Sequence, residues 1–216
     1  MIPVRFQDRR EAGRALAEEL RERQRAGALP EPLVFGLPRG GLPVAREVAD
    51  ALGAPLEALV ARKIGAPGQP ELAIGAIAGE APPLWDQEAL RWLHATPEEL
   101  APLAERERVE LRRREALYRQ GRPVPELAGR TAVVVDDGLA TGFTARAALR
   151  SVRIRHPARL VLAVPVGSRE ATEALAAEAD EVVCLHQPYV FGSVGRWYED
   201  FGQLTDDQVL ELLRGG

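Results

Sequence analysis

Apolar positions change their rhythm along this chain, and the changes divide it into segments. In QDRREAGRALAEELRERQRA (7–26), Ala12, Leu16, Ala17 and Leu20 recur at helical spacing among charges, and Gly27 follows as a stop, which predicts an amphipathic helix. PLVFGL (32–37) is instead an unbroken apolar run ending at PRGG, the mark of a buried strand. LPVAREVADALG (42–53) returns to helical spacing and closes on Gly53, and LEALVARK (56–63) reads as the next strand. Strand, glycine turn, helix and strand make one βαβ unit.

From Ile64 to Arg130 that rhythm breaks. LAIGAIAG (72–79) reads as an extended segment and APPLWD as a turn; TPEELAPLAERERVELRRREALYRQG (96–121) is a long charged helix opened by Thr96 with Glu99 three places on, a capping box. The region predicts an excursion from the sheet, with a mobile lid in its Gly/Pro-rich part, 65–83. The strand–helix alternation then resumes: strand 131–135, helix 142–153, strand 159–166, helix 168–179, strand 181–185. These strands are aliphatic without alternation, as expected when helices cover both faces of a parallel sheet. The fold class predicted is α/β, a doubly wound parallel sheet flanked by helices, forming one domain over 1–216 with an insertion at about 64–130 and a small C-terminal hood at about 186–216.

Composition adds limits. A net charge of −4 removes any general attraction to nucleic acid, and RRR at 112–114 is interleaved with acids, so no nucleic-acid partner is expected. No apolar run is long enough for a membrane span, and the first residues lack a signal-peptide core, which predicts a cytoplasmic protein without a membrane partner. Cys184 is alone, and His94, His156 and His186 lack ligand spacing, so no metal cage of protein side chains is expected. Asparagine is absent and Lys63 is the sole lysine among arginines, a bias that fits a heat-adapted source or a GC-rich genome.

The chemistry concentrates in TAVVVDDGLATGFTARAALR (131–150). Asp136 and Asp137 fall at a strand's carboxyl end, where doubly wound sheets bind ligands, and the glycines and hydroxyls after them lead into a helix N-terminus, where free amides attract phosphate. Asp137 or Thr141 as a plain helix cap would be the ordinary alternative. Two adjacent acids at a strand end repel one another, however, and call for an external partner. Carboxylates for sugar hydroxyls beside an amide nest for phosphate describe a ribose phosphate site. The string is neither a Walker A loop nor a GxGxxG turn.

Four apolar residues, two acids and GLATGFT resemble the phosphoribosyl pyrophosphate (PRPP) motif of the type I phosphoribosyltransferases. That resemblance implies that Asp136 and Asp137 hold the ribose hydroxyls, and that Gly138, Ala140, Thr141, Gly142, Phe143 and Thr144 wrap the 5′-phosphate, Phe143 through its backbone amide alone. It also implies a pyrophosphate loop after the first core strand, matched by Arg39, Gly40 and Gly41. Lys63, at the end of the following strand, is assigned to the pyrophosphate and, with Asp136 and Asp137, to the catalytic set. The aromatic-rich tail HQPYVFGSVGRWYEDFGQ (186–203) loosely resembles the base-binding region of 6-oxopurine enzymes, which makes Phe191 and Tyr189 base-stacking candidates, with Trp197 and Phe201 plugging the sheet end. The activity implied is transfer of ribose 5-phosphate between PRPP and a nitrogenous base, with Mg2+ as cofactor carried by PRPP, Asp136 and Asp137 helping to place it, and a homodimer as the assembly. A PRPP-sensing regulator without turnover, or a sugar-phosphate binder or hydrolase, would use the same motif.

Overall fold

The computed structural model describes residues 5–215. Helix α1 (Arg9–Arg25) opens on Asp8, whose carboxylate accepts from the Glu11 amide, and buries Leu16, Ala17 and Leu20. Strand β1 (Pro32–Gly36), helix α2 (Gly41–Leu52) and strand β2 (Leu56–Ala58) form the expected βαβ unit, with β1 and β2 paired in parallel. Next come β3 (Ala61–Ala66), β4 (Gln69–Ala78), β5 (Leu84–Trp85), α3 (Gln87–Leu93) and α4 (Pro97–Arg119). The remainder is β6 (Thr131–Val135), α5 (Phe143–Arg153), β7 (Arg159–Val166), α6 (Arg169–Leu175), β8 (Glu181–His186), a 3₁₀ turn at Val194–Trp197, and α7 (Asp206–Arg214).

Five strands form a parallel sheet in the order β2-β1-β6-β7-β8. Its side chains divide by parity, as the two-residue repeat of a strand requires. Val133, Val135, Val161, Ala163 and Val183 pack with α1, α2 and α7, whereas Ala132, Val134, Leu160, Leu162 and Val164 pack with α5 and α6. Every residue of β6 is buried. Burying a Val or Leu contributes about 1.5–3 kcal/mol, so the aliphatic runs are what fix the centre of the sheet.

The strand expected over 56–63 is two strands in two sheets. Leu59 makes a last bond to β1, its amide donating to the Gly36 carbonyl at 3.0 Å. Beyond Gly36 the neighbouring chain turns away and offers no further partner. The polypeptide therefore peels off after Val60, and Ala61–Ala66 pairs with β4 in a separate antiparallel sheet that β5 completes. The helix expected over 168–179 stops at Leu175, where Ala176 and Ala177 have no apolar surface to cover. APPLWD, expected as a turn, supplies β5 and the Asp86 cap of α3, and α7 is a further helix the pattern did not announce. The long helix has its capping box, Thr96 and Glu99 bonding reciprocally to each other's amides.

The sheet order places the site. From β1 the chain moves outward to edge strand β2, and after the excursion it returns on the opposite side of β1 as β6. That reversal is the topological switch point, where ligands enter such sheets.

Candidate functional site

Gly36 and Val135 are register partners at the ends of β1 and β6, so the loop 37–41 and the acids 136–137 leave the sheet side by side. The Leu37 amide donates to the Val135 carbonyl at 3.0 Å, stitching the two exits together. Within the loop the Pro38–Arg39 peptide is cis, and Gly41 turns back to donate to the Leu37 carbonyl at 2.9 Å. Its closeness to the acids is what requires glycine. A Cβ on Gly40 would sit 2.1 Å from Asp137 Oδ2, and one on Gly41 would sit 2.8 Å from the Val135 carbonyl oxygen. The Arg39 side chain is exposed, and no backbone partner among the described residues takes the amides of Arg39 and Gly40.

The two acids are not equivalent. Asp136 accepts from the Asp137 amide at 2.8 Å, and burial together with the adjoining Asp137 holds its carboxyl well above the ordinary aspartate range. Burial pushes Asp137 up as well, but Arg9 opposes it with an Nε–Oδ2 contact of 2.8 Å. Both carboxyls are thus raised, Asp136 with no opposing hydrogen bond from a cation and Asp137 against the pull of Arg9. Asp137 already has a cationic partner within the chain, which the sequence reading did not provide, whereas no ion pair among the described residues reaches Asp136.

After the acids, Leu139 donates to the Val166 carbonyl and pairs with Gly167, which pins the next loop against the end of β7. Ser168 bonds the Ala140 carbonyl at 2.8 Å from the same side. The cap of α5 is Gly142, in the left-handed region at φ 72°, with no side-chain cap bond. Neither Asp137 nor Thr141 caps the helix, so the capping alternative does not describe this loop. Among the described residues, the backbone amides from Ala140 through Ala145 have no partner, and the first turn of α5 carries no acid. Such a nest suits an anion. Thr141 is exposed and Thr144 half-buried, both placed on this turn, while the half-buried Phe143 ring packs against the α5 and α6 cluster and leaves its amide as the part facing the nest.

The tail folds over the same end of the sheet. Tyr198 donates from its hydroxyl to the Asp137 carbonyl at 2.6 Å, and Val194 lies so close above Gly138 that a Cβ there would meet it at 2.7 Å. Phe6 pairs with Tyr198, joining the segment before α1 to the tail. Phe191 stacks on Trp197 at 6.4 Å between centroids, and Tyr189 stands 94% exposed outside this cluster. Phe201 packs on Tyr198 and under Arg9, and His186 lies against Phe6 as a structural ring.

Lys63 is displaced from its expected place. It stands exposed on β3 opposite Ala76, in the hairpin sheet, and does not close a strand of the parallel sheet. A separate cavity of about 220 Å³, lined by Phe35, Glu57, Glu115, Arg119 and Arg155 among others, includes none of the loops at the switch point. Among the described residues no group of three or more His, Cys, Asp or Glu could hold a metal, and no helix is long and apolar enough to cross a membrane. Arg9, Ser168 and Tyr198 are the site residues that sequence reasoning missed. Ser168 alone had a readable signal, as a cap residue directly after an aliphatic strand.

The comparisons with known proteins agree with this geometry. The family model of the phosphoribosyl transferase domain matches residues 6–199. A provisionally named phosphoribosyl transferase of Mycobacterium tuberculosis strain H37Rv is 44% identical over 208 residues, which is 96% of this chain and 46% of that protein, so the chain spans about half the length of the curated relatives it matches. The crystal structure of the Thermus thermophilus protein TT1426 is 47% identical, covers 97% of each chain and superposes with a TM-score of 0.80. A Neisseria gonorrhoeae protein of undescribed function, solved with bound ppGpp, shares the fold at 17% identity and a TM-score of 0.56, over 98% of this chain and 94% of its own. With its parallel sheet, its diacid at the switch point and this family match, the chain belongs to the phosphoribosyl transferase domain family.

Proposed function

We propose that this chain transfers ribose 5-phosphate between PRPP and a nitrogenous base, with inversion at the anomeric carbon. The observation that carries the reading is the junction of three features at one switch point: the unpartnered amides 140–145, the diacid 136–137, and the glycine loop 39–41 pressed against it. In this reading the amides, with the Thr141 and Thr144 hydroxyls, hold the 5′-phosphate. Asp136 and Asp137 accept from the ribose hydroxyls, and the amides of 39–41 with the Arg39 side chain orient the diphosphate. The bond from the anomeric carbon to the diphosphate breaks with its electron pair leaving on pyrophosphate, a ring nitrogen of the base bonds to the opposite face, and the base's N–H proton passes to pyrophosphate or solvent. Negative charge grows on the leaving group, so preorganised amides and cations there lower the barrier. Lys63 is kept as a contributor of that charge from the hairpin.

Two carboxylates without nitrogen or sulfur donors fit a hard, oxygen-seeking cation that draws its other ligands from the substrate. Magnesium bound in this way would supply positive charge against the leaving diphosphate, with Asp136 and Asp137 as its protein-side carboxylates. The base would lie under the tail at 186–203, against Phe191 or Tyr189, with a 6-oxopurine as the leading acceptor, which gives the protein a place in nucleotide metabolism. A homodimer in the cytoplasm completes the proposal.

The test is PRPP consumption with hypoxanthine, guanine, xanthine, adenine, uracil and orotate, with mass spectrometry of the product. Turnover with a purine supports the reading, and turnover with pyrimidines alone would sink the 6-oxopurine assignment. Binding of PRPP without turnover on any base would assign the chain to PRPP sensing.

A further inference from the structure

Arg9 is the first residue of α1 and one of many arginines in a charged helix, yet its guanidinium is engaged on three sides at the site. Nε donates to Asp137 Oδ2 at 2.8 Å, Nη1 donates to the Gly202 carbonyl at 2.8 Å, and the guanidinium carbon lies 3.9 Å from the Phe201 ring centroid. Its side chain is 11% exposed and that of Asp137 13%. Phe201 stacks on Tyr198, whose hydroxyl bonds the backbone carbonyl of the same Asp137. Asp137 is thus gripped at its carboxylate by α1 and at its backbone by the tail, and the two grips meet at Phe201. Arg9 also lies against the glycine loop, 3.2 Å from where a Gly40 Cβ would be.

We propose that Arg9 is a positioning residue of this site, fixing Asp137 as an oriented acceptor for ribose hydroxyls and making that orientation depend on a seated tail. The inference rests on the PRPP reading above. Arg9 takes Oδ2 through Nε, which fixes the carboxylate plane and leaves Oδ1 without a cation among the described residues. A lysine could not do the same work, because only the planar guanidinium bonds along its edge while stacking by its face. The groups facing the Asp137 carboxylate are Arg9 from α1, Asp136 from its own loop and Tyr198 from the tail, so Arg9 is its one cation among the described residues.

Two measurements on the full chain test this. The first is the crystal structure of the unliganded protein as wild type, Arg9→Gln and Arg9→Lys. The Asp137 carboxylate should leave its wild-type orientation in Arg9→Gln; a carboxylate that keeps it overturns the proposal. The second is calorimetry with PRPP in magnesium buffer and with pyrophosphate alone. Arg9→Gln should weaken PRPP about tenfold or more, as loss of a charge-assisted bond does, with a much smaller effect on pyrophosphate. Equal loss for both ligands would mean general collapse and overturn the positioning role. Should Arg9→Gln not fold, Arg9→Lys decides: reduced PRPP affinity with pyrophosphate affinity retained supports orientation, and wild-type PRPP affinity overturns it. A wild type that binds no PRPP defeats the function proposed above, while the crystal structures still judge the Arg9–Asp137 link.

Discussion

Asp136 directly follows a fully buried strand, and the cation nearby is committed to Asp137. Its carboxyl is raised, so the folded state retains a proton that the unfolded state has released. Stability is therefore greatest below the unfolded carboxylate range and falls as pH rises through the folded-state value, leaving a cost at neutral pH. Asp136→Asn should remove that cost and raise Tm at pH 7 by a few degrees, ~1 kcal/mol being about 2–4 °C for a domain of this size, while abolishing stabilisation by PRPP. Melting curves at pH 4 and pH 7, with and without ligand, check this, and a lower Tm at pH 7 would contradict it. Gly40→Ala forces its Cβ against Asp137 and should destabilise the protein by about 1–3 kcal/mol, with loss of pyrophosphate binding by calorimetry. Lys63→Ala should weaken pyrophosphate and spare a nucleoside monophosphate; indifference to pyrophosphate would return Lys63 to the solvent surface. The acids and glycines were legible because each follows an aliphatic run that announces a strand end. Arg9 and Tyr198 were not, since each acts on a partner far away in the chain and looks locally like one more helix arginine or one more tail aromatic.

The elements nearest to expectation are those with a local chemical signature: the capping box of α4, Gly53 closing α2 in the left-handed region, and the aliphatic strands β6 and β7. The hairpin was harder to read, because apolar periodicity marks β3 as a strand without naming the sheet that receives it. Its structure divides the excursion expected to form a lid. Ile64, Ile74 and Ile77 are fully buried in the core, whereas Pro67 through Leu72 are exposed around the turn at Gly68. A lid formed by this segment would have to move at that exposed tip and not at the buried isoleucines. Amide exchange should be slow at Ile74–Ala78 in all conditions and fast at 68–72, slowing there when PRPP and magnesium are added. Exchange at the tip that ignores the ligand would count against a lid.

Across the whole molecule, arginine-centred ion pairs join elements distant in the chain. Glu181 on β8 meets both Arg23 of α1 and Arg159 of β7, Glu178 meets Arg146 and Arg150 of α5, and Asp180 meets Arg153. Isolated surface pairs contribute about 0–1 kcal/mol near 25 °C, but networks gain weight with temperature as the cost of desolvating charge falls. The heat-adapted reading therefore predicts a Tm well above about 45–65 °C, the usual mesophile range, and Glu181→Gln should cost more at high temperature than at 25 °C. Calorimetric scans of both proteins check it, and a wild-type Tm inside that range removes the reading. The fold class was legible because strand and helix alternate in sequence, while the pairing order was not, since nothing local reveals that β6 comes to lie beside β1. That adjacency has a kinetic meaning. The two walls of the crevice are neighbours in the sheet, yet the chain between them contains everything from α2 through α4, so their pairing closes a very long loop. Loop closure of that length is entropically slow to nucleate, and contacts that are local in sequence form ahead of it. The crevice is then among the last things a folding chain acquires, and an intermediate with native helices would still lack the site proposed for PRPP.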